Sequence, residues 1–220
     1  MKSVLFDLDG TLIDSSEGIT KCAQHALAHF GIDEPDLEKL FCFIGPPLTQ
    51  SFMVHYGFTE EQAKEAVGVY RSRYTPIGIY ESRLYPHVKE SIVELKKRGY
   101  RIGMASSKPE PACRVLLEHF GIIDLFDDVV GATYDGKIGT KEEVLQEVFR
   151  RWSDSSKDEM VLIGDTIFDV EGANLCGISA IAVSFGFGNV EEMVEAGAKA
   201  VCHDMLELPD LVDGVLKNEA

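Results

Sequence analysis

Ser3-Val4-Leu5-Phe6-Asp7-Leu8-Asp9-Gly10-Thr11 opens the chain with four apolar residues that run straight into two acids and a glycine. A short run that is apolar at consecutive positions suits a strand buried on both faces. Similar runs recur at Arg101 to Ala105, Asp128 to Gly131, Met160 to Gly164 and Ser179 to Ser184, bounded by Gly, Ser or Asp. Between them lie segments of helical period. Val88, Ile92 and Leu95 share a face before Gly99. Ala112, Val115, Leu116 and Phe120 do so before Gly121, and Val144, Leu145, Val148, Phe149 and Trp152 follow Lys141. Strands alternating with helices imply right-handed crossovers and a Rossmann-like, doubly wound parallel sheet of the α/β class.

Residues 15–82 break this alternation. Ile19, Cys22, Ala23, Ala26, Leu27 and Phe30 form one helical stripe that ends at Gly31, and further helical patterns run through Leu37 to Phe43, Leu48 to Tyr56 and Thr59 to Tyr74. No segment there has the pattern of a buried strand. The expected organisation is therefore a catalytic core of residues 1–14 and 83–220, with a small all-helical cap domain, residues 15–82, inserted after the first strand.

The chain's 220 residues suffice for one such core and a small insertion. With 21 Lys and Arg against 37 Asp and Glu, the formal charge is −16. That excess argues against nucleic-acid and anionic-membrane partners, which are polyanions. It leaves room for a small anionic substrate if a cation focuses the local field. Five scattered cysteines, Cys22, Cys42, Cys113, Cys176 and Cys202, fit buried thiols better than a disulfide framework or a zinc site. Asp7 and Asp9 interrupt the apolar stretch a signal peptide needs, and no run approaches the roughly 20 apolar residues of a membrane span. A cytoplasmic location is expected.

Ligands of doubly wound sheets bind beyond the carboxyl ends of the strands. Asp7-x-Asp9 follows the first strand, Ser106-Ser107-Lys108-Pro109 follows the run from Arg101, and Gly164-Asp165-x-x-x-Asp169 follows the run from Met160. Asp7, Asp9, Asp165 and Asp169 in one crevice would repel one another unless a cation sat among them. A hard divalent ion with oxygen ligands, Mg2+, suits a few carboxylates and a phosphate. A single Asp after a strand is commonly a helix N-cap; four on two strand ends are a weak fit to that role. Thr140-Lys141-Glu142-Glu143 has the form of a capping box, which puts Lys141 at the first helical position against the helix dipole. An ammonium aimed into the crevice would balance its charge; Lys108 competes for that place. Ser106 could cap the following helix or offer its hydroxyl, with the N–H groups of Ser107 and Lys108, to a phosphate. Gly186-Phe187-Gly188-Asn189 lacks the dinucleotide fingerprint and reads as a turn into the last helices.

Asp7-Leu8-Asp9-Gly10-Thr11-Leu12, Ser106, Lys141 and Gly164-Asp165-x-x-x-Asp169, in that order, resemble the four motifs of the haloacid dehalogenase-like superfamily over nearly the whole chain. Phe43 to Leu48, Ser106 to Pro109 and Phe126 to Ala132 are similar to its phosphoglycolate phosphatase and 5'-nucleotidase branch. The resemblance implies a Mg2+-dependent phosphomonoesterase acting on a small phosphorylated metabolite. In it Asp7 would be the nucleophile, forming an aspartyl-phosphate. Asp9 would protonate the leaving alcohol and then deprotonate the attacking water. Magnesium would be held by Asp7, Asp165 and the Asp9 backbone carbonyl, with Asp169 ligating directly or through water; Thr11, Ser106, Ser107 and Lys141 would bind the phosphate. Asp9 also sets the chain apart from relatives that displace halide from carbon, which lack an acid there. Ser107 departs from the pattern, since the family often places Lys or Asn after the motif-two Ser or Thr. Gly45-Pro46-Pro47 would form a lid loop over the crevice. Two alternatives use similar residues. An intramolecular sugar phosphomutase would keep its aspartyl-phosphate through a substrate turnover, and a receiver-like phospho-acceptor would need neither the helical insertion nor Asp9. Tyr70-Arg71-Ser72-Arg73-Tyr74 reads as a solvated helix face with a lesser claim to substrate contact.

Overall fold

The computed structural model describes residues 1–217; the last three, which the expected core range includes, lie outside the described residues. The opening run is β1 (Ser3–Phe6), buried at all four positions. After β2 (Ile13–Asp14) come the helices α1 (Ser16–His29), α2 (Leu48–Tyr56) and α3 (Glu60–Tyr74), then β3 (Arg83–Leu84) and α4 (Val88–Lys97). The alternation resumes with β4 (Arg101–Pro109), α5 (Glu110–His119), β5 (Asp128–Ala132), α6 (Lys141–Arg151), β6 (Met160–Gly164) and α7 (Ile167–Cys176). The chain closes with β7 (Ser179–Val183), α8 (Val190–Glu195), β8 (Ala200–Cys202) and α9 (Leu208–Lys217). Strands β2 and β3 form a separate two-stranded sheet.

The main sheet has six strands in the order β5-β4-β1-β6-β7-β8, every pair parallel. The order reverses at β1: the chain steps outward to β4 and β5, then returns to place β6 on the other side. Such a reversal opens a crevice at the carboxyl ends of β1, β4 and β6. Residues alternate between the faces. Leu5, Ala105, Val130, Leu162, Ala180 and Ala182 join one core cluster with Val144, Leu145, Val148 and Trp152 of the α6 region and Val170, Ala173 and Cys176 of α7. Val4, Phe6, Ile102, Met104, Val161 and Ile163 alternate with them and are also fully buried, so the sheet is covered on both sides.

Two features depart from the sequence pattern. The strand expected at residues 101–105 continues to Pro109, with a register shift against β5 between Ser106 and Pro109. Polar Ser106, Ser107 and Lys108 hid this extension because apolar periodicity ends at Ala105. The short β8 was also unread, since Ala200-Val201-Cys202 is only three residues long and sits at the sheet edge.

The chain divides into two compact units, Met1–Ile13 with the chain from Leu84 on, and Asp14–Arg83. The second holds α1, α2, α3 and two 3-10 turns, Leu37–Phe43 and Gly78–Tyr80. Its core is aromatic: Phe43 packs on Phe52 with ring centroids 4.7 Å apart, and Phe30 on Phe58 at 4.8 Å. Arg71 and Ser72 are exposed, as expected of a solvated helix face, whereas Tyr70 is buried and Arg73 forks onto Glu81 at 2.7 and 3.0 Å inside this unit.

Arg151 ties α6 to its neighbours in the first unit. Its guanidinium lies 2.8 Å from Glu110, 2.8 Å from Glu147 and 3.4 Å from Asp128. Arg150, then Arg151, hold the Glu147 carboxyl down at about 2. A carboxyl lowered on folding adds stability above its ordinary pKa and loses it as pH falls through the folded value. Glu147→Gln should therefore cost roughly 0.5–1 kcal/mol near neutrality, and urea titrations should show that deficit closing as pH falls towards about 2. A deficit that is constant with pH would contradict this account.

Candidate active site

Strand β1 delivers Asp7 to the crevice, where the Asp7 N–H donates to the Ile163 carbonyl of β6 at 2.9 Å. Asp165 follows β6 directly. Asp169 stands at the third position of α7, where its Oδ2 reaches back to accept from the Thr166 N–H at 3.0 Å and the Thr166 hydroxyl at 2.8 Å. The carboxylates of Asp7, Asp165 and Asp169 offer one oxygen each within 4.8 Å of one another, and Asp165 and Asp169 are 0% and 2% exposed.

Lys141 enters from α6. Thr140 accepts from the Glu143 N–H and Glu143 accepts from the Thr140 N–H, a capping box that puts Lys141 at the first helical turn. Its Nζ donates to Asp7 Oδ1 at 2.7 Å and to the Ala105 carbonyl at 2.8 Å, and lies 2.8 Å from Asp169 Oδ1. The side chain passes α7 at Gly172, where a Cβ would come within 2.7 Å of Lys141 Cγ. Lys108 takes a different place. Its Nζ donates to both oxygens of Asp9, at 3.0 and 2.8 Å. So Lys141 serves the three-acid cluster and Lys108 serves Asp9.

Electrostatics follow from this burial. Desolvation pushes the Asp7 carboxyl up to about 6; Lys141 opposes the rise, while Asp169 and Asp9 add to it. Burial, then the charges of Asp169 and Asp7, push Asp165 well above the usual carboxylate range. Burial alone would lower the Lys141 ammonium; the carboxylates of Asp169 and Asp7 outweigh it and hold the group above its ordinary value. Three carboxylates against one ammonium leave excess negative charge in a buried space. An all-oxygen donor set of that charge fits a hard divalent cation.

The remaining expected residues lie nearby in the same unit. Thr11 is fully buried, and its hydroxyl donates to Asp165 Oδ1 at 3.3 Å. Ser106 is buried and accepts from the Lys108 N–H at 3.3 Å, whereas Ser107 is partly exposed. Gly45, Pro46 and Pro47 belong to the helical unit, between the turn Leu37–Phe43 and α2, with Gly45 at φ +97°.

One element was missed. The loop after β7 is a wall of the site: the Phe187 N–H donates to Asp165 Oδ2 at 2.9 Å. A Cβ on Gly188 would meet the Asp165 carbonyl at 2.1 Å, and one on Gly186 the Asp165 Cβ at 2.3 Å. The available signal was position, since Gly186-x-Gly188 follows the strand that neighbours β6.

A parallel α/β sheet with acids on two strand ends and a buried lysine from a third crossover defines a class of metal-competent enzyme sites. Residues 4–183 match the family described as Haloacid dehalogenase-like hydrolase, and the chain belongs to that family. A 5'-nucleotidase of Pseudomonas aeruginosa is 39% identical over 211 residues, 96% of this chain and 95% of that protein. Tyrosine-protein kinase PtkA of Mycobacterium tuberculosis is 34% identical over 200 residues, 91% of this chain and 68% of the kinase. A phosphoglycolate phosphatase of Vibrio parahaemolyticus is 26% identical, with 96% of each chain covered. The crystal structure of a predicted phosphatase from Clostridium acetobutylicum superposes with a TM-score of 0.93 at 39% identity, covering 97% of this chain and 98% of that one. Relatives and solved structures similar to this chain thus include several with phosphatase names.

The packing of the β7 loop makes a direct prediction. Gly188→Ala drives a Cβ into backbone and should cost about 1–3 kcal/mol of unfolding free energy. Gly214→Ala in α9, where nothing lies within 4 Å of a new Cβ, should be neutral or raise stability by up to ~1 kcal/mol. Equal effects in calorimetry would show that the loop does not abut Asp165 closely.

Proposed function

We propose that the chain is a Mg2+-dependent phosphomonoesterase that hydrolyses a small phosphate ester through a covalent intermediate on Asp7. The observation that carries this reading is the buried Lys141 ammonium 2.7 Å from Asp7 and 2.8 Å from Asp169, with Asp165 in the same cluster. Family membership supports it, as do the 5'-nucleotidase and phosphoglycolate phosphatase names of the relatives.

Asp7 attacks phosphorus, and Asp9, two residues on, gives a proton to the departing alcohol oxygen. Splitting the displacement in two lowers each barrier. Ser106, Ser107 and Lys141 bind the phosphoryl oxygens, whose charge spreads during transfer, and Thr11 contributes from the turn after β1. The carboxylates of Asp7, Asp165 and Asp169, with the Asp9 backbone carbonyl, would hold Mg2+, which supplies Lewis-acid neutralisation of phosphoryl charge. In this reading residues 15–82 act as the cap that selects substrate, with Gly45-Pro46-Pro47 as its lid loop, and the substrate is a nucleoside monophosphate, phosphoglycolate or a related small ester. The kinase name of PtkA supports a second reading, phosphoryl transfer to a protein tyrosine.

Purified protein with Mg2+ should release phosphate from p-nitrophenyl phosphate, and a chelator should stop it. Asp7→Asn should lower the rate by roughly three orders of magnitude or more while leaving the far-ultraviolet circular dichroism unchanged. Near-normal turnover in that variant would remove Asp7 from the nucleophile's role. A panel of nucleoside monophosphates, phosphoglycolate and sugar phosphates should then rank the esters, and a tyrosine peptide with ATP tests the second reading.

A further inference from the structure

Lys108 has no part in the chemistry described so far, yet it is a buried cation directed at a reacting residue. Its side chain is 8% exposed and that of Asp9 12%. The Nζ donates to Oδ1 at 3.0 Å and to Oδ2 at 2.8 Å. One ammonium thus reaches both oxygens of the Asp9 side chain, a two-point contact that fixes the plane of the group. The backbone that presents Lys108 is itself built for the purpose. Lys108 lies in the register shift where β4 departs from β5. That departure brings the Lys108 carbonyl and Glu110 N–H against Gly131 of β5, where a Cβ would lie only 2.6 Å from each. The Lys108 N–H is tied to Ser106 Oγ at 3.3 Å, and its carbonyl accepts from Cys113 Sγ at 3.5 Å. Loose surface lysines have no such seat.

We propose that Lys108 is a positioning residue for Asp9 that serves the second half of the reaction, the hydrolysis of the phospho-enzyme; this rests on the phosphomonoesterase reading. In that step a water oxygen bonds to phosphorus and the bond from phosphorus to the Asp7 oxygen breaks. The water proton passes to the Asp9 carboxylate, leaving inorganic phosphate and free Asp7. Asp9 returns the proton to the next leaving alcohol, so the cycle balances. A base must be held within hydrogen-bond reach of the proton it takes. Two hydrogen bonds from one buried ammonium fix both the position and the plane of the Asp9 carboxylate.

The test uses p-nitrophenyl phosphate, whose leaving group departs without a proton, so that only the second half needs Asp9. Lys108→Gln should lower kcat about tenfold or more. KM should fall in step, leaving kcat/KM within about twofold, and a nitrophenolate burst approaching one per active site should appear. Lys108→Arg, which keeps a cation with several donors, should recover most of kcat and suppress the burst. A parallel fall in kcat and kcat/KM would overturn the proposal in favour of a structural role. A raised KM at unchanged kcat would overturn it in favour of substrate binding. If Lys108→Gln does not fold, loss of kcat in Lys108→Arg without a burst overturns it equally. Wild-type protein that releases no nitrophenolate overturns the phosphatase reading as well; an active wild type with the wrong split in the variants overturns this inference alone.

Discussion

The ammonium of Lys141 is the interaction on which the site depends. Three carboxylates brought together at buried strand ends carry a desolvation cost of several kcal/mol each unless compensated. Lys141 meets two of them and the Ala105 carbonyl at once. Each supporting feature traces back to this need: the capping box that starts α6 at Lys141, Gly172 that lets the side chain pass α7, and the β1–β6 pairing that sets Asp7 beside Asp165. The charge still left over after Lys141 is what makes the cluster a fit for a divalent cation.

Much of this was legible in the sequence because it follows from local rules. Consecutive apolar residues flanked by Gly and Asp mark buried parallel strands, and the acids at their ends mark the crevice. The capping box at Thr140 predicted where Lys141 would start its helix. What escaped notice depends on contacts between distant segments. The capping box favours Lys141 for the crevice, but nothing local says what Lys108 faces. Only the sheet order decides that one faces Asp9 and the other Asp7. Likewise Gly186 and Gly188 read as a turn because their reason for being glycine is Asp165, some twenty residues earlier in the chain. The extension of β4 was hidden because its last residues are polar, as a strand end that serves a site must be.

Charge is distributed in two tiers. Asp7 and Asp169 share Lys141, and Asp165 is held beside them by the Thr11 hydroxyl and the Phe187 N–H, while Asp9 has its own cation in Lys108. Separate partners let neighbouring acids take different parts. In the proposed reaction the clustered acids supply the nucleophile and cation ligands, and Asp9, held in place by Lys108, moves the proton. The net charge of −16 therefore says less about the enzyme than the local pairing does.

The central claim, that Asp7 carries the phosphoryl group, is tested most directly by locating that group. Enzyme quenched in acid during turnover and reduced with borohydride should carry an alcohol in place of the acyl phosphate. Peptide mass spectrometry should place the change at residue 7 and nowhere else. Reduction at another carboxylate, or at none while turnover proceeds, would contradict the assignment.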